Sequence, residues 1–280
     1  MTTAEMTTTL PTPTDSRQPA GAVGIACSVL LEHKVNDMKK LKVLIACEYS
    51  GIVRDAFAAR GHNAWSCDLL PTERDGFGVK HHQGDVANHL SEGWDVLIAH
   101  PPCTYLSSSG MHWTTRGLRD PKLTEDALDF VRKIMDAPCE RICVENPVGI
   151  ISTRIRKPDQ IIQPYQYGED ASKSTCLWLK NLPTLGPGEY FKPRHVCSCG
   201  EVYPNTVHIG VWFKCSKCGG AADRLKKRWG NQTDSGQNKL APSEKRGLDR
   251  AKTYTGIAEA MADQWTRALC SNARADLPPR

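Results

Sequence analysis

The sequence predicts an α/β protein built on a doubly wound parallel sheet, with a small cysteine-paired module inserted late in the chain. Three observations predict it. Short, continuous apolar runs of strand length alternate with helical patterns through the first half of the chain, as expected of strands buried on both faces. Acids and a cysteine fall just after these runs, at the strand ends where such sheets gather their ligands. Two closely spaced cysteine pairs then appear in a stretch of different texture, rich in Pro, Gly, Lys and Arg.

Lys42–Cys47 (KVLIAC) is the first strand run. It ends in Glu48-Tyr49-Ser50-Gly51, and Ile52, Val53, Ala56 and Phe57 continue it as a helical pattern. Ala64–Leu69 (AWSCDL) is the second run and carries Asp68 near its end. Asp85 follows a third short strand, and Val86–Leu90 reads as a short helix. Trp94–Ala99 (WDVLIA) runs into His100-Pro101-Pro102-Cys103. Thr124–Met135 reads as an amphipathic helix with Leu128, Val131, Ile134 and Met135 on one face. Glu140–Val144 (ERICV) is the next strand and ends in Glu145-Asn146-Pro147. The last helix runs from about Gly256 to Leu269, with Ile257, Ala260, Met261, Gln264, Trp265, Ala268 and Leu269 as a stripe for core packing.

These segments divide the chain into a disordered extension over 1–37, a sheet domain over 38–185, a cysteine-paired and basic region over 186–252, a helix over 253–270 that completes the sheet domain, and a disordered tail over 271–280. Met38, followed at once by Lys39 and Lys40, reads as a second candidate start.

Composition bounds the function. The 280 residues are 40% hydrophobic and 24% charged, ordinary for a globular chain with one large core. The net charge of +5 permits a nucleic-acid partner without requiring one. The basic residues are clustered: Arg224, Lys226, Lys227, Arg228, Lys239, Lys245, Arg246, Arg250 and Lys252 are offset only by Asp234, Glu244 and Asp249. That stretch is a solvated surface or a phosphate-contacting one, and the neighbouring cysteine pairs favour the second. No run approaches the roughly 20 apolar residues of a membrane span, and no basic segment precedes the mildly apolar Ala20–Leu31, so neither a membrane partner nor a signal peptide is expected. The twelve cysteines include isolated ones in apolar runs (Cys47, Cys67, Cys143), which read as reduced, buried thiols of a cytoplasmic protein.

Gly51, at a strand-to-helix turn, allows a ligand to approach the backbone closely. Asp68, seventeen residues further on, can hold ribose hydroxyls, and Asp85 can accept from an adenine amino group. Gly51-Ile52-Val53-Arg54 lacks the later glycines of a phosphate-cradling GxGxxG turn. A nucleoside cofactor without pyrophosphate, such as S-adenosylmethionine, therefore suits this end better than NAD. At the reacting end, Pro101-Pro102 stiffens the turn that carries Cys103. Glu145 ends a neighbouring strand, where a dry pocket raises a carboxyl's pKa and lets it share a proton with a heterocycle. A thiol beside a carboxylate suits covalent catalysis on an electron-poor ring. Cys197-x-Cys199 and Cys215-x-x-Cys218, separated by fifteen residues and each followed by a glycine (Gly200, Gly219), can close a tetrahedral zinc site, with His195 as a further potential ligand.

Pro101-Pro102-Cys103-Thr104-Tyr105-Leu106-Ser107-Ser108-Ser109-Gly110 resembles the PPCQxFSxAG segment of DNA cytosine-C5 methyltransferases. Val144-Glu145-Asn146-Pro147 is similar to their ENV motif, and Glu48-Tyr49-Ser50-Gly51 to their first cofactor motif. The resemblance spans roughly residues 41–180 plus Gly256–Trp265, which sits where the family's closing helix completes the cofactor pocket. It implies a Rossmann-like S-adenosylmethionine-dependent methyltransferase sheet with an inserted zinc-ribbon module for target recognition. Its catalytic residues would be Cys103 as nucleophile and Glu145 as partner of the cytosine N3. The cofactor contacts would be Glu48, Tyr49, Ser50, Gly51, Asp68, Asp85 and Pro101. Double-stranded DNA with a flipped base would be the substrate of a monomeric, nucleoid-associated enzyme.

Several residues depart from the family. His100 stands where a Gly is usual and Thr104 where a Gln is usual, and Val53 and Arg54 replace later glycines. The family's QxRxR segment is missing; within Asp170–Thr175, Lys173 is the candidate to stand in for its base-supporting arginine. These departures resemble a divergent, phage-like branch. They leave open a heavier transferred group, an RNA or nucleotide substrate, and a non-catalytic zinc-ribbon DNA-binding protein.

Overall fold

In the computed structural model the described residues are 39–272, apart from 75 and 77. The expected extension over 1–37, the start at Met38 and the end of the tail, 273–280, lie outside them.

Residues 39–272 hold two sheets. The larger has seven strands: β1 (Lys42–Ala46), β2 (Asn63–Asp68), β3 (His81–Gln83), β4 (Val96–Ala99), β5 (Ile142–Pro147), β6 (Gln160–Ile162) and β7 (Thr175–Lys180). Their order across the sheet is β3-β2-β1-β4-β5-β7-β6. The first five pair in parallel, and β7 is antiparallel to both neighbours. The chain reverses direction across the sheet between β1 and β4, so their carboxyl ends open a crevice of the kind that binds ligands in such folds. The helices are α1 (Ile52–Ala58), α2 (Ser108–Thr115), α3 (Lys122–Met135), α4 (Ile151–Arg154), α5 (Arg246–Ala251) and α6 (Thr255–Asn272).

The sheet is covered on both faces, and side-chain alternation decides which residue goes where. Val43 and Ile45 of β1, with Val96 and Ile98 of β4, pack on Phe57 of α1 and on Ile257, Met261 and Trp265 of α6. Leu44, Ala46, Leu97 and Ala99 point the other way, toward Leu128, Val131 and Ile134 of α3. The apolar stripes expected on α3 and α6 supply these buried faces, except that Met135 and, on α6, Ala260, Gln264, Ala268 and Leu269 are only partly buried.

Three readings are corrected. α3 begins at Lys122, behind the N-terminal Pro121, and α6 runs to Asn272, so residues 271 and 272 are helical. β5 does not stop at Val144. Its parallel partner β4 ends there (Ala99↔Val144), but the unforeseen β7 carries the pairing on through Glu145↔Leu177, Asn146↔Cys176 and Pro147↔Thr175. Glu145 is thus held inside a strand rather than on a loop. β6 and β7 were not expected: β6 is only three residues long, and β7 (TCLWLK), though largely buried, directly follows the polar Ser172-Lys173-Ser174.

The second sheet orders β8 (Arg194–Cys197), β9 (Val202–Tyr203) and β10 (Leu225–Arg228) as β10-β8-β9, all antiparallel. Trp229, just beyond β10, stacks on Tyr165 at 4.5 Å between ring centroids. Gly230 N donates to Asp170 Oδ1 (2.7 Å), and Asn231 bonds Ser172 in both directions. These contacts tie the small sheet to the segment leading into β7. No described helix is long and apolar enough to cross a membrane.

Candidate functional site

Cys103 opens a single 3-10 turn, Cys103–Tyr105, immediately after β4, and is half-buried. The loop is clamped from behind. Leu106 N and Ser107 N both donate to Cys103 O (3.1 and 2.9 Å), and Asn146 Nδ2 reaches across from β5 to Pro101 O at 2.7 Å. Two glycines make the clamp sterically possible. A Cβ on Gly110 would meet Thr104 O at 2.1 Å, and one on Gly149 would meet Leu106 O at 1.9 Å. Gly110 closes the motif that carries Cys103, so its identity follows from this close approach. Gly149→Ala is therefore expected to overpack the loop at a cost of about 1–3 kcal/mol. Thermal unfolding should show Tm lowered by several degrees, whereas Gly247→Ala, inside α5 where an added Cβ meets nothing within 4 Å, should leave Tm unchanged or slightly raised.

Glu145 is buried (7% exposed). Its Oε2 lies 3.1 Å from His100 Nδ1. Burial pushes its carboxyl up, but the hydrogen bond from His100, the charge of Lys173 and the hydroxyl of Thr175 outweigh it and hold the carboxyl below its ordinary value. The expectation of a raised carboxyl is corrected here: the dry pocket is present, but it contains cationic and hydrogen-bonding partners. Lys173 is also placed by its Nζ, which donates to Arg250 O at 3.0 Å.

Two cavities flank the Cys103 loop. One, of about 420 Å³, lies at the carboxyl ends of β1 to β4 and is lined by Cys47, Cys67, Asp68, Asp85, Pro101 and Pro102, with Tyr105, Leu106 and Phe130 among its apolar wall. Its size is that of a small-molecule site. Burial pushes the Cys47 thiol up and that of Cys67 to about 11, so these two are neutral wall residues near neutral pH. The other, of about 720 Å³, is lined by Ser107, Ser108 and Ser109 on one side and by Lys173, Lys239, Arg250 and Lys252 on others, with Asp249 the one acid among its lining residues.

Of the seven residues expected at the cofactor end, Asp68, Asp85 and Pro101 line the smaller cavity. Glu48, Tyr49, Ser50 and Gly51 are not among its lining residues. Glu48 is turned toward α1, where it accepts from Val53 N (2.7 Å), Arg54 N (3.2 Å) and Ser50 Oγ (3.5 Å). Tyr49 donates to Leu248 O at 2.9 Å. Gly51, at φ 70, lies under the Arg54 guanidinium. The helix end that would cradle a pyrophosphate is thus capped by the protein's own carboxylate, which agrees with the missing glycines. The last helix does not close this cavity. Its Trp265 is buried against the opposite face of the sheet, and α3 supplies Leu123, Asp126, Ala127 and Phe130 in its place.

The four expected metal ligands come together. The Sγ atoms of Cys197, Cys199, Cys215 and Cys218 lie within 4.8 Å of one another, with 197–218 at 3.7 Å and 199–215 at 3.6 Å. A tetrahedron of Zn–S bonds near 2.3 Å sets its sulfurs about 3.8 Å apart, so this donor set fits zinc with no open position. Gly200 (φ 89) and Gly219 (φ 65) make the tight turns after each pair. His195 stays outside the cluster; it sits in β8 opposite Lys227 and Tyr203.

Sequence reasoning missed the roles of His100, Asn146 and Gly149. The signals were local: a histidine where the resembled family has a glycine, and an Asn and a Gly close behind Glu145.

No family model matches the chain, and no curated protein matches it. Among solved structures it is similar, at 16% identity and a TM-score of 0.34 over 50% of its length, to an E. coli protein described as a DNA modification methyltransferase encoded within a prophage. The matched part spans 46% of that protein, less than half its length.

Proposed function

We propose that this chain is an S-adenosylmethionine-dependent DNA cytosine-C5 methyltransferase, with a catalytic domain over 38–185 completed by α6 and a target-recognition region over 186–252 that holds a structural zinc ion. The observation that carries the reading is the placement of the Cys103 loop: Pro101, Pro102, Tyr105 and Leu106 wall the smaller cavity, and Ser107, Ser108 and Ser109 wall the larger. One thiol-bearing loop thus separates a nucleoside-sized pocket from a cleft with four cations. The mixed, mostly parallel seven-stranded sheet is consistent with a Rossmann-like methyltransferase.

Asp68 and Asp85 would hold the ribose and adenine of the cofactor against the apolar wall, and Pro101 would close it toward the reacting thiol. When bound, S-adenosylmethionine supplies an electrophilic methyl group. Lys239, Arg250 and Lys252 would meet phosphates, which position the duplex without reading its sequence. A cytosine turned out of the helix would reach Cys103 and Glu145. The Cys103 sulfur forms a bond to C6, and the ring electrons displaced make C5 nucleophilic. Glu145 holds a proton at N3 and offsets the negative charge that attack places on the ring. Once C5 carries the methyl group, loss of its proton to water restores the double bond and expels the thiolate. Lys173, beside Glu145, would steady the base edge from the other side.

Labelled-methyl transfer to duplex DNA, RNA and dCMP, run side by side, tests the substrate class; incorporation into duplex DNA alone supports the reading, and incorporation into RNA or dCMP alone overturns it. Glu145→Gln is expected to lower turnover on duplex DNA by about two to four orders of magnitude, the usual cost of losing a general acid. An unchanged rate constant would make Glu145 a structural residue.

A further inference from the structure

His100 is the chemical oddity of this site. It follows Ala99, the last residue of β4, just past the final β4–β5 pair Ala99↔Val144, and its side chain is only 7% exposed. Its Nδ1 is 3.1 Å from Glu145 Oε2, and an ionised carboxylate only accepts, so Nδ1 carries the proton of that bond. Its Nε2 is buried with no partner among the described residues. A buried unpartnered nitrogen costs stability and calls for a compensating role. The charged and titratable groups around the pair are Glu48 from the end of β1, Lys173 and Cys176 from the β7 side, and Cys143 from β5 itself. Glu48 and Glu145 thus both act on one imidazole.

We propose that His100 is a positioning residue for Glu145: it anchors one carboxylate oxygen and holds the group charged until a base arrives. The proposal rests on the methyltransferase reading above. It carries a proton balance. With Glu145 ionised in the free enzyme, a cytosine whose N3 bears no proton bonds to it when one proton is taken up from water as the base binds, giving the shared proton between Oε and N3; the Cys103 thiol separately releases its own proton to water when its sulfur bonds to C6. Turnover should then fall as pH rises through the protonation of the bound Glu145–base pair. Removing the His100 donor favours the neutral carboxyl, so that fall should move to higher pH.

The test uses the full chain and two variants. His100→Leu removes the donor; His100→Asn keeps an amide N–H near the Nδ1 position without the imidazole ring. In the first arm, the ¹³C carboxyl signal of Glu145 is followed against pH with no substrate present. The expected protonation midpoint lies below the ordinary glutamate range in the wild type and rises by about one unit or more in His100→Leu. In the second arm, the alkaline limb of the kcat profile should move up by a similar amount in His100→Leu, while maximal turnover falls roughly tenfold or more because the carboxylate is no longer held in place. His100→Asn, which keeps an N–H donor, should recover most of the maximal turnover and bring the limb part of the way back. An unchanged carboxyl midpoint in both variants overturns the proposal, as does a lowered rate with an unmoved pH profile, which is the mark of a packing role. Should one variant fail to fold, the other still yields both readouts. Absence of methyl transfer to any nucleic acid counts against the proposed function, and the carboxyl titration still decides whether His100 governs Glu145.

Discussion

Cys103→Ser is expected to abolish methyl transfer and leave cofactor binding intact. The smaller cavity, proposed for the cofactor, is walled by Pro101, Pro102, Tyr105 and Leu106 rather than by the Cys103 side chain, so exchanging sulfur for oxygen leaves that wall unaltered. The hydroxyl is far less acidic and less nucleophilic than the thiol, so the C6 bond does not form at a useful rate, and loss of a covalent nucleophile costs several orders of magnitude in turnover. Calorimetry with S-adenosylmethionine checks the first half and a labelled-methyl assay the second. A duplex carrying 5-fluorocytosine gives a sharper readout. The fluorine at C5 cannot leave as a proton does, so the wild type should accumulate a protein–DNA adduct stable to denaturation and Cys103→Ser should form none. Full turnover by the serine variant would remove the covalent mechanism.

Removal of zinc should have the second large effect. Four sulfurs already spaced for a tetrahedron bind the ion with an apparent free energy of roughly 10–16 kcal/mol in comparable small sites, most of which is folding free energy of the module itself. The small sheet buries little besides Val196, Cys197 and Cys215, so little else holds it together. Metal analysis is expected to find one zinc per chain. Stripping it under strong chelation should release backbone hydrogen-exchange protection across β8, β9 and β10 while the seven-stranded sheet, with its own two core clusters, keeps its protection. DNA affinity should fall in parallel, because Lys239, in the segment that follows the module, lines the proposed phosphate-binding cleft together with Arg250 and Lys252. Metal-free protein with unchanged exchange in residues 194–228 would contradict the zinc assignment.

Much of this was legible in the sequence, and the reasons are physical. β1, β4 and the first three residues of β5 are buried almost throughout and read as unbroken apolar runs, as strands covered on both faces do. The cysteine pairs specify their geometry by spacing alone. Asp68, Asp85 and Cys103 follow strands, and strand ends are where this class of sheet opens. Other features could not be read because they depend on partners distant in the chain. β7 exists as a strand because β5 offers it an edge, and its pairing, not any local pattern, carries β5 on through Glu145. The protonation of Glu145 depends on His100 and Lys173, 45 and 28 residues away in sequence, which reverse the effect of burial. Glu48 resembled a cofactor ligand because it follows a strand, but the free N–H groups of α1 were nearer and claimed it. The last helix kept its apolar stripe yet packs on the face away from the cofactor cavity.

Covalent action of Cys103 on cytosine in DNA is tested by nucleoside mass spectrometry of DNA from cells expressing the wild type, set beside cells expressing Cys103→Ser. 5-Methylcytosine is expected in the first and none above background in the second. Unmodified cytosine in both, or the same modification in both, would contradict it.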